Sequence, residues 1–78
     1  MIVLSPHARS AMEEHSITED AIRTALEHGE CCIKMQVGKE LRYGNKLELK
    51  DKTIVVIYTH QEEATRIITC YPLRRRKW

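Results

Sequence analysis

The chain predicts an α+β fold in which two short N-terminal helices pack on one face of a three- to four-stranded antiparallel sheet. Three observations carry that expectation. Two segments in the first third have helical spacing and capping residues, and the rest alternates or runs apolar in short β-rich stretches. The connections between those stretches are only a few residues long, which makes the strands an antiparallel meander.

The first helix opens at Ser5, an N-cap residue, with Pro6 at the first helical position and Ala8, Ala11 and Met12 at helical spacing behind it. His7 falls in its first turn. The second opens at Thr18, with Glu19 and Asp20 in the positive first turn, Ile17 placed to staple onto Ile22, and Gly29 at the end. Its buried stripe is Ala21, Ile22, Ala25 and Leu26. Helices this short do not persist alone in water, so both must pack on the sheet.

Residues 32–37 alternate, with Ile33, Met35 and Val37 on one side and Cys32, Lys34 and Gln36 on the other. A turn near Gly38-Lys39 leads into residues 40–50, where Leu41, Tyr43, Leu47 and Leu49 alternate with polar neighbours. Gly44-Asn45 marks a bulge or a hairpin. Asp51-Lys52 turns the chain into residues 53–59, apolar at successive positions as a central strand requires, and residues 65–71 come next. Ile2 to Leu4 has the composition of a short edge strand. In this arrangement Lys34, Arg42 and Lys46 look out from the face the helices leave open, lining a positive groove.

At 78 residues the chain has room for one domain, taken as residues 1–73, followed by a basic tail at 74–78. It has no room for a large cofactor cradle, and no phosphate-binding glycine motif occurs, so no cofactor is expected. His7, His15, His28 and His60 lack metal-ligand spacing and Cys31-Cys32 are adjacent, so no metal is expected either. Three cysteines without a C-x-x-C pair fit a reducing cytoplasm. No signal peptide or membrane-spanning stretch is visible, and no membrane partner is expected.

The net charge is only +2, so the charges matter through their placement. Arg74, Arg75, Arg76 and Lys77 are consecutive and come after the segment that carries Thr69 and Tyr71, whereas acids gather at Glu13-Glu14, Glu19-Asp20 and Glu62-Glu63. Cations beside a sheet edge are where a polyanion such as RNA would bind.

The run SPHARSAMEEHSITEDAIRTAL, followed by a meander ending in RIITCY, resembles the family known as domain of unknown function 4258. Its members open on a Ser-x-His-Ala helix and close on an Ile-Thr-x-Tyr strand. The resemblance spans residues 5–71 and implies a RelE-like fold, grouped with the barnase, EndoU and colicin-type ribonucleases. It implies in turn a toxin-type, metal-independent endoribonuclease acting on RNA, with ribosome-bound messenger RNA as a substrate and a small acidic antitoxin as partner. One departure stands out: members commonly carry Arg, often followed by Gly, where this chain has His15 and Ser16.

Such a reaction needs a base for the 2′-hydroxyl, cations for the phosphorane charge and an acid for the 5′-oxygen. His7 is the candidate acid or base, because histidine titrates nearest neutrality. Arg42 and Lys46 are candidate clamps, Thr69 and Tyr71 candidate donors to phosphate, and Lys34 with Arg74, Arg75, Arg76 and Lys77 would bind the RNA chain. Each also has a plainer reading: His7 as a cap or packing residue, Arg42 and Lys46 as a solvated face, Thr69 and Tyr71 as β-formers. Two other functions fit the same residues, namely a non-catalytic RNA-binding or ribosome-associated module and a domain that docks a protein partner or a second copy of itself as a homodimer.

Overall fold

A computed structural model, which describes residues 1–50 and 52–73, folds into two helices and one five-stranded mixed sheet. Strand β1 (Ile2–Leu4) is followed by helices α1 (Pro6–His15) and α2 (Glu19–His28), and then by β2 (Glu30–Val37), β3 (Glu40–Glu48), β4 (Thr53–Gln61) and β5 (Ala64–Leu73). Strands β2 to β5 form the expected antiparallel meander. The short edge strand expected at Ile2 to Leu4 is present, but it pairs parallel to β5, which corrects the sheet to five strands of mixed direction in the order β1-β5-β4-β3-β2. A three-residue strand whose partner lies some sixty residues away leaves no local turn signal. Arg74, Arg75, Arg76 and Lys77 lie outside the described residues, as does Asp51.

The helix ends follow from their sequence. The Ser5 hydroxyl accepts from the Ala8 amide at 3.1 Å and donates to the Ile68 carbonyl at 3.1 Å, so one buried side chain both caps α1 and ties it to β5. At the other end Ser16 adopts φ 54°, and the Ser16 and Ile17 amides donate back to the carbonyls of Glu13 and Met12. This is a Schellman ending, and its left-handed residue favours glycine. Lys52, from the β3–β4 connection, donates to the carbonyls of His15 and Ser16 at 3.3 and 3.2 Å and places a cation at the negative end of α1. Because Ser16 stands where the backbone is left-handed, Ser16→Gly is expected to raise stability by about 0.5–1 kcal/mol in a urea titration, the relief of strain exceeding the added unfolded-state entropy. A loss of stability would show that the serine side chain matters more than its backbone angle.

Thr18 caps α2 by accepting from the Ala21 amide at 3.1 Å. Gly29 ends α2 at an ordinary φ of −71°, so conformational freedom is not the reason for a glycine there. Space is the reason: a Cβ would stand 2.3 Å from the Ala25 carbonyl oxygen and 2.8 Å from that of Lys46.

Ala8, Ala11, Ile17, Ile22 and Ala25 of the helical layer pack on Ile54, Val56, Ile67 and Cys70 of the sheet. The alanines let the helices come close to the strands, and β-branched residues fill the space between. Burial raises the Cys70 thiol pKa, so this cysteine is a protonated core residue and a poor nucleophile.

Two bulges decide which side chains face the helices. In β5 the register passes from Thr69 opposite Ile57 to Ile67 opposite Tyr58, leaving Ile68 as the extra residue. Ile67 and Cys70, three apart, thereby both reach the core, and Thr69 and Tyr71 turn to the other face. In β2 the register steps from Cys31 opposite Asn45 to Ile33 opposite Gly44, leaving Cys32 as the extra residue. Every residue of β2 beyond Cys32 is therefore flipped relative to simple alternation. Ile33, Met35 and Val37 fall on the helix-free face, and Lys34, opposite Tyr43, falls on the helix side. The expectation that Lys34 shares a face with Arg42 and Lys46 is corrected by this bulge.

Gly44 and Asn45 form neither a hairpin nor a bulge but lie within β3. Gly44 leaves a gap that Ile33 of β2 and Ile57 of β4 close from both sides, each within 2.9 Å of where a Cβ would sit. The two tight turns fall at Gly38-Lys39 and Glu62-Glu63. In each, only the first loop residue has positive φ, at 62° for Gly38 and 55° for Glu62, as in II′ hairpins. Pro72 is tolerated inside β5 because β1 pairs with β5 only at residues 65–67, so the missing donor falls along an unpaired stretch.

Candidate functional site

The helix-free face is built in rows set by strand register. Tyr71 of β5 stands beside Val55 of β4, which faces Lys46 of β3, which faces Glu30 of β2. The next row is Thr69, Ile57, Gly44 and Ile33. Beyond the β5 bulge come Arg66, Thr59, Arg42 and Met35. Four of the five residues assigned to catalysis from sequence, Arg42, Lys46, Thr69 and Tyr71, thus share one surface.

His7 does not join them. It is exposed on α1, which packs against β5 from the opposite side, so the sheet separates it from that surface. None of the histidines lies on the helix-free face: His15 and His28 end the two helices, and His60 shares the aromatic side of the sheet with Tyr58. Arg66 joins the surface without having been singled out from the sequence, because the bulge at Ile68 sets which way it points.

The face is not uniformly positive. Arg42 donates from Nε to Glu40 at 2.7 Å, Glu30 stands across from Lys46, and Glu48 occupies the row of Thr53 and Leu73. The expected positive groove is corrected to a mixed surface, since Glu40 and Glu48 have the same parity along β3 as Arg42 and Lys46. Its centre is apolar and closed: Val55 and Ile57 are 1% and 7% exposed without any helix above them. Their cover comes from the side chains around them on the same face. Toward the β2 edge, Met35 and Val37 are 41% and 45% exposed.

On the helix side, at the last turn of α2, a polar link joins helix to sheet. Buried Asn45 donates to the Ala25 carbonyl at 3.0 Å and accepts from the Tyr58 hydroxyl at 3.0 Å. Burial, then the neighbouring Cys31 and Tyr43, raise the Tyr58 phenol pKa, and the Asn45 hydrogen bond opposes them. The Tyr58 ring stacks on Tyr43 at 5.6 Å, and His60 lies 5.5 and 5.6 Å from the two tyrosine rings. With three Tyr, one Trp and no Phe, the composition argues against a platform for stacking single-stranded bases, so a cluster of this kind was not expected. Tyr58 and His60, two apart in one strand, were its only sequence signal, and Tyr43 enters through cross-strand register.

Among the described residues no three His, Cys, Asp or Glu side chains gather as a metal site, and no helix is long and apolar enough to cross a membrane.

Two capped helices on one face of a five-stranded mixed sheet, with Arg, Lys, Thr and Tyr side chains on the other, define a small α+β domain whose second sheet face is free of helices. The sequence profile of the family described as domain of unknown function (DUF4258) matches residues 4–72, and the chain belongs to that family. No curated protein and no solved structure matches it.

Proposed function

We propose that the protein is a RelE-like, toxin-type domain that acts on RNA in the cytoplasm through its helix-free face. The observation that carries this reading is the convergence of Arg42, Lys46, Arg66, Thr69 and Tyr71 on one surface. Lysine and arginine there would hold phosphates as charge-assisted partners, and the hydroxyls of Thr69 and Tyr71 would donate to phosphate oxygens. The basic segment Arg74, Arg75, Arg76 and Lys77 comes directly after Leu73 in sequence and adds cations to the same end of the chain. Cleavage would be metal-independent and would use Tyr71 and Lys46, neighbours across Val55, in place of a histidine. An acidic antitoxin would cover the exposed Met35 and Val37 together with the cations beside them.

A second reading, a non-catalytic RNA-binding module, is favoured by the absence of any histidine from that face. One experiment separates the two. Wild type, Lys46→Ala, Tyr71→Phe and His7→Ala are incubated with single-stranded RNA in EDTA, free and on translating ribosomes, and binding is followed over a range of salt. The ribonuclease reading expects cleavage by wild type and His7→Ala, with a fall of about a hundredfold in Tyr71→Phe. Lys46→Ala should lower the log–log salt slope by about 1, as loss of one phosphate contact requires. Salt-sensitive binding without cleavage moves the protein to the second reading. Binding insensitive to Lys46→Ala removes the helix-free face from either.

A further inference from the structure

The two hairpins of the meander part at one end of the sheet. The β3–β4 ladder ends at Arg42 and Thr59, yet β2–β3 pairing continues to Val37 and Glu40, and β4–β5 pairing to Gln61 and Ala64. Residues 40–41 and 60–61 therefore belong to separate hairpins and no longer bond to each other. The Thr59 hydroxyl donates to the Leu41 carbonyl at 2.8 Å and closes the ladder where the split begins. Between the tips lies a cleft of about 470 Å³, lined by Lys39, Glu40, Leu41, Tyr43, His60 and Gln61 among others. That volume is in the range of small-ligand sites.

The lining has the elements of a base-binding site. Tyr43 and His60 offer ring surface and Leu41 an apolar side. Gln61 brings an amide that can both donate and accept, and Lys39 brings a cation for an adjoining phosphate. Leu41, Tyr43 and His60 stand on the helix side of the sheet, so a base reaches them through the split, and the row of Arg66, Thr59 and Arg42, the last paired with Glu40, lies at its mouth on the helix-free face. A chain held there by its phosphates would have the cleft within reach of one unstacked base.

We propose that the cleft between the β2–β3 and β4–β5 hairpins binds a single unpaired nucleobase, stacked against Tyr43 and His60, of an RNA strand that lies across the helix-free face. The proposal rests on the RNA reading above and adds to it a site for base recognition separate from the phosphate contacts. It makes the protein a reader of single-stranded rather than duplex RNA, because a paired base is not free to enter.

The test compares binding of a short single-stranded oligoribonucleotide with that of an equally long abasic phosphodiester chain, for wild type and His60→Ala. His60 is exposed and makes no hydrogen bond that the fold needs, so the variant should remain folded. Loss of one stacking partner should weaken base-bearing RNA by about five- to a hundredfold and leave the abasic chain unchanged. In parallel, adenosine and uridine monophosphates are titrated into isotopically labelled wild type, and amide shifts are expected at Leu41, Tyr43, His60 and Gln61. Equal effects of His60→Ala on both oligomers, or no effect on either, overturn the cleft assignment and leave RNA binding standing. Shifts with monophosphates but no binding of either oligomer keep the cleft and overturn the RNA reading. If there are no shifts and no binding, both are overturned.

Discussion

Gly29→Ala is expected to cost the fold more than about 3 kcal/mol, a fall of at least about 12 °C in Tm. The added methyl would sit 2.3 Å from the Ala25 carbonyl oxygen and 2.8 Å from the Lys46 carbonyl oxygen, and both obstacles are backbone. A flexible side chain could swing away, but here α2 and β3 would have to separate. Overpacking of a yielding core costs about 1–3 kcal/mol, and a clash against two main chains belongs above that range. A domain of this size holds only about 5–10 kcal/mol in total. The check is a circular-dichroism melt beside the wild type, with Glu27→Ala as an exposed control on the same helix. A Gly29→Ala protein that melts within a few degrees of wild type would mean that helix and strand do not approach this closely.

Asn45→Leu should give the second-largest loss, about 2–4 kcal/mol by denaturant titration. The leucine has the same branched shape as the amide and is larger, so no cavity forms, but the Ala25 carbonyl loses one of its donors and the Tyr58 hydroxyl loses its acceptor. The Ala25 carbonyl also accepts from the Gly29 amide at 3.0 Å, so both predictions concern one joint between α2 and the sheet. A pH dependence accompanies it. The Tyr58 pKa is raised in the folded state, so its contribution to stability is fully present below the ordinary tyrosine pKa near 10 and is lost as pH climbs through the raised value. Tyr58→Phe should flatten that alkaline limb.

The helices and their ends were legible residue by residue. Ser5, Pro6 and Thr18 announce their positions because capping is a local contest for unpaired amides, and a few residues settle it. The turn at Gly38-Lys39 and the central apolar run 53–59 were legible for the same reason: glycine permits the turn's positive φ, and a strand buried on both faces needs no polar alternation. The bulges at Cys32 and Ile68 escaped. Both residues suit a strand, so nothing in their chemistry marks them as extra, yet each inverts the facing of the strand residues beyond it. Lys34 left the candidate surface and Arg66 joined it through those two residues alone. His7 was placed correctly in a first helical turn, but on which side of the sheet that turn would lie relative to Tyr71 depended on the bulge in β5. The cleft was out of reach for a different reason, since it exists because a ladder stops, and the end of a ladder has no residue signature.

The parallel pairing of Ile2 with Thr65, Val3 with Arg66 and Leu4 with Ile67 sets a clock on the molecule. During synthesis the first strand emerges long before its partner is made, and α1, whose cap reaches to Ile68, waits with it. Loop closure over most of the domain must precede the reward of those contacts, which slows the final step. Until then β2 and β3 are exposed as a bare hairpin with an apolar rim. The helix-free surface therefore comes into being only once β5 has left the ribosome, and every earlier stage of synthesis holds a domain without it.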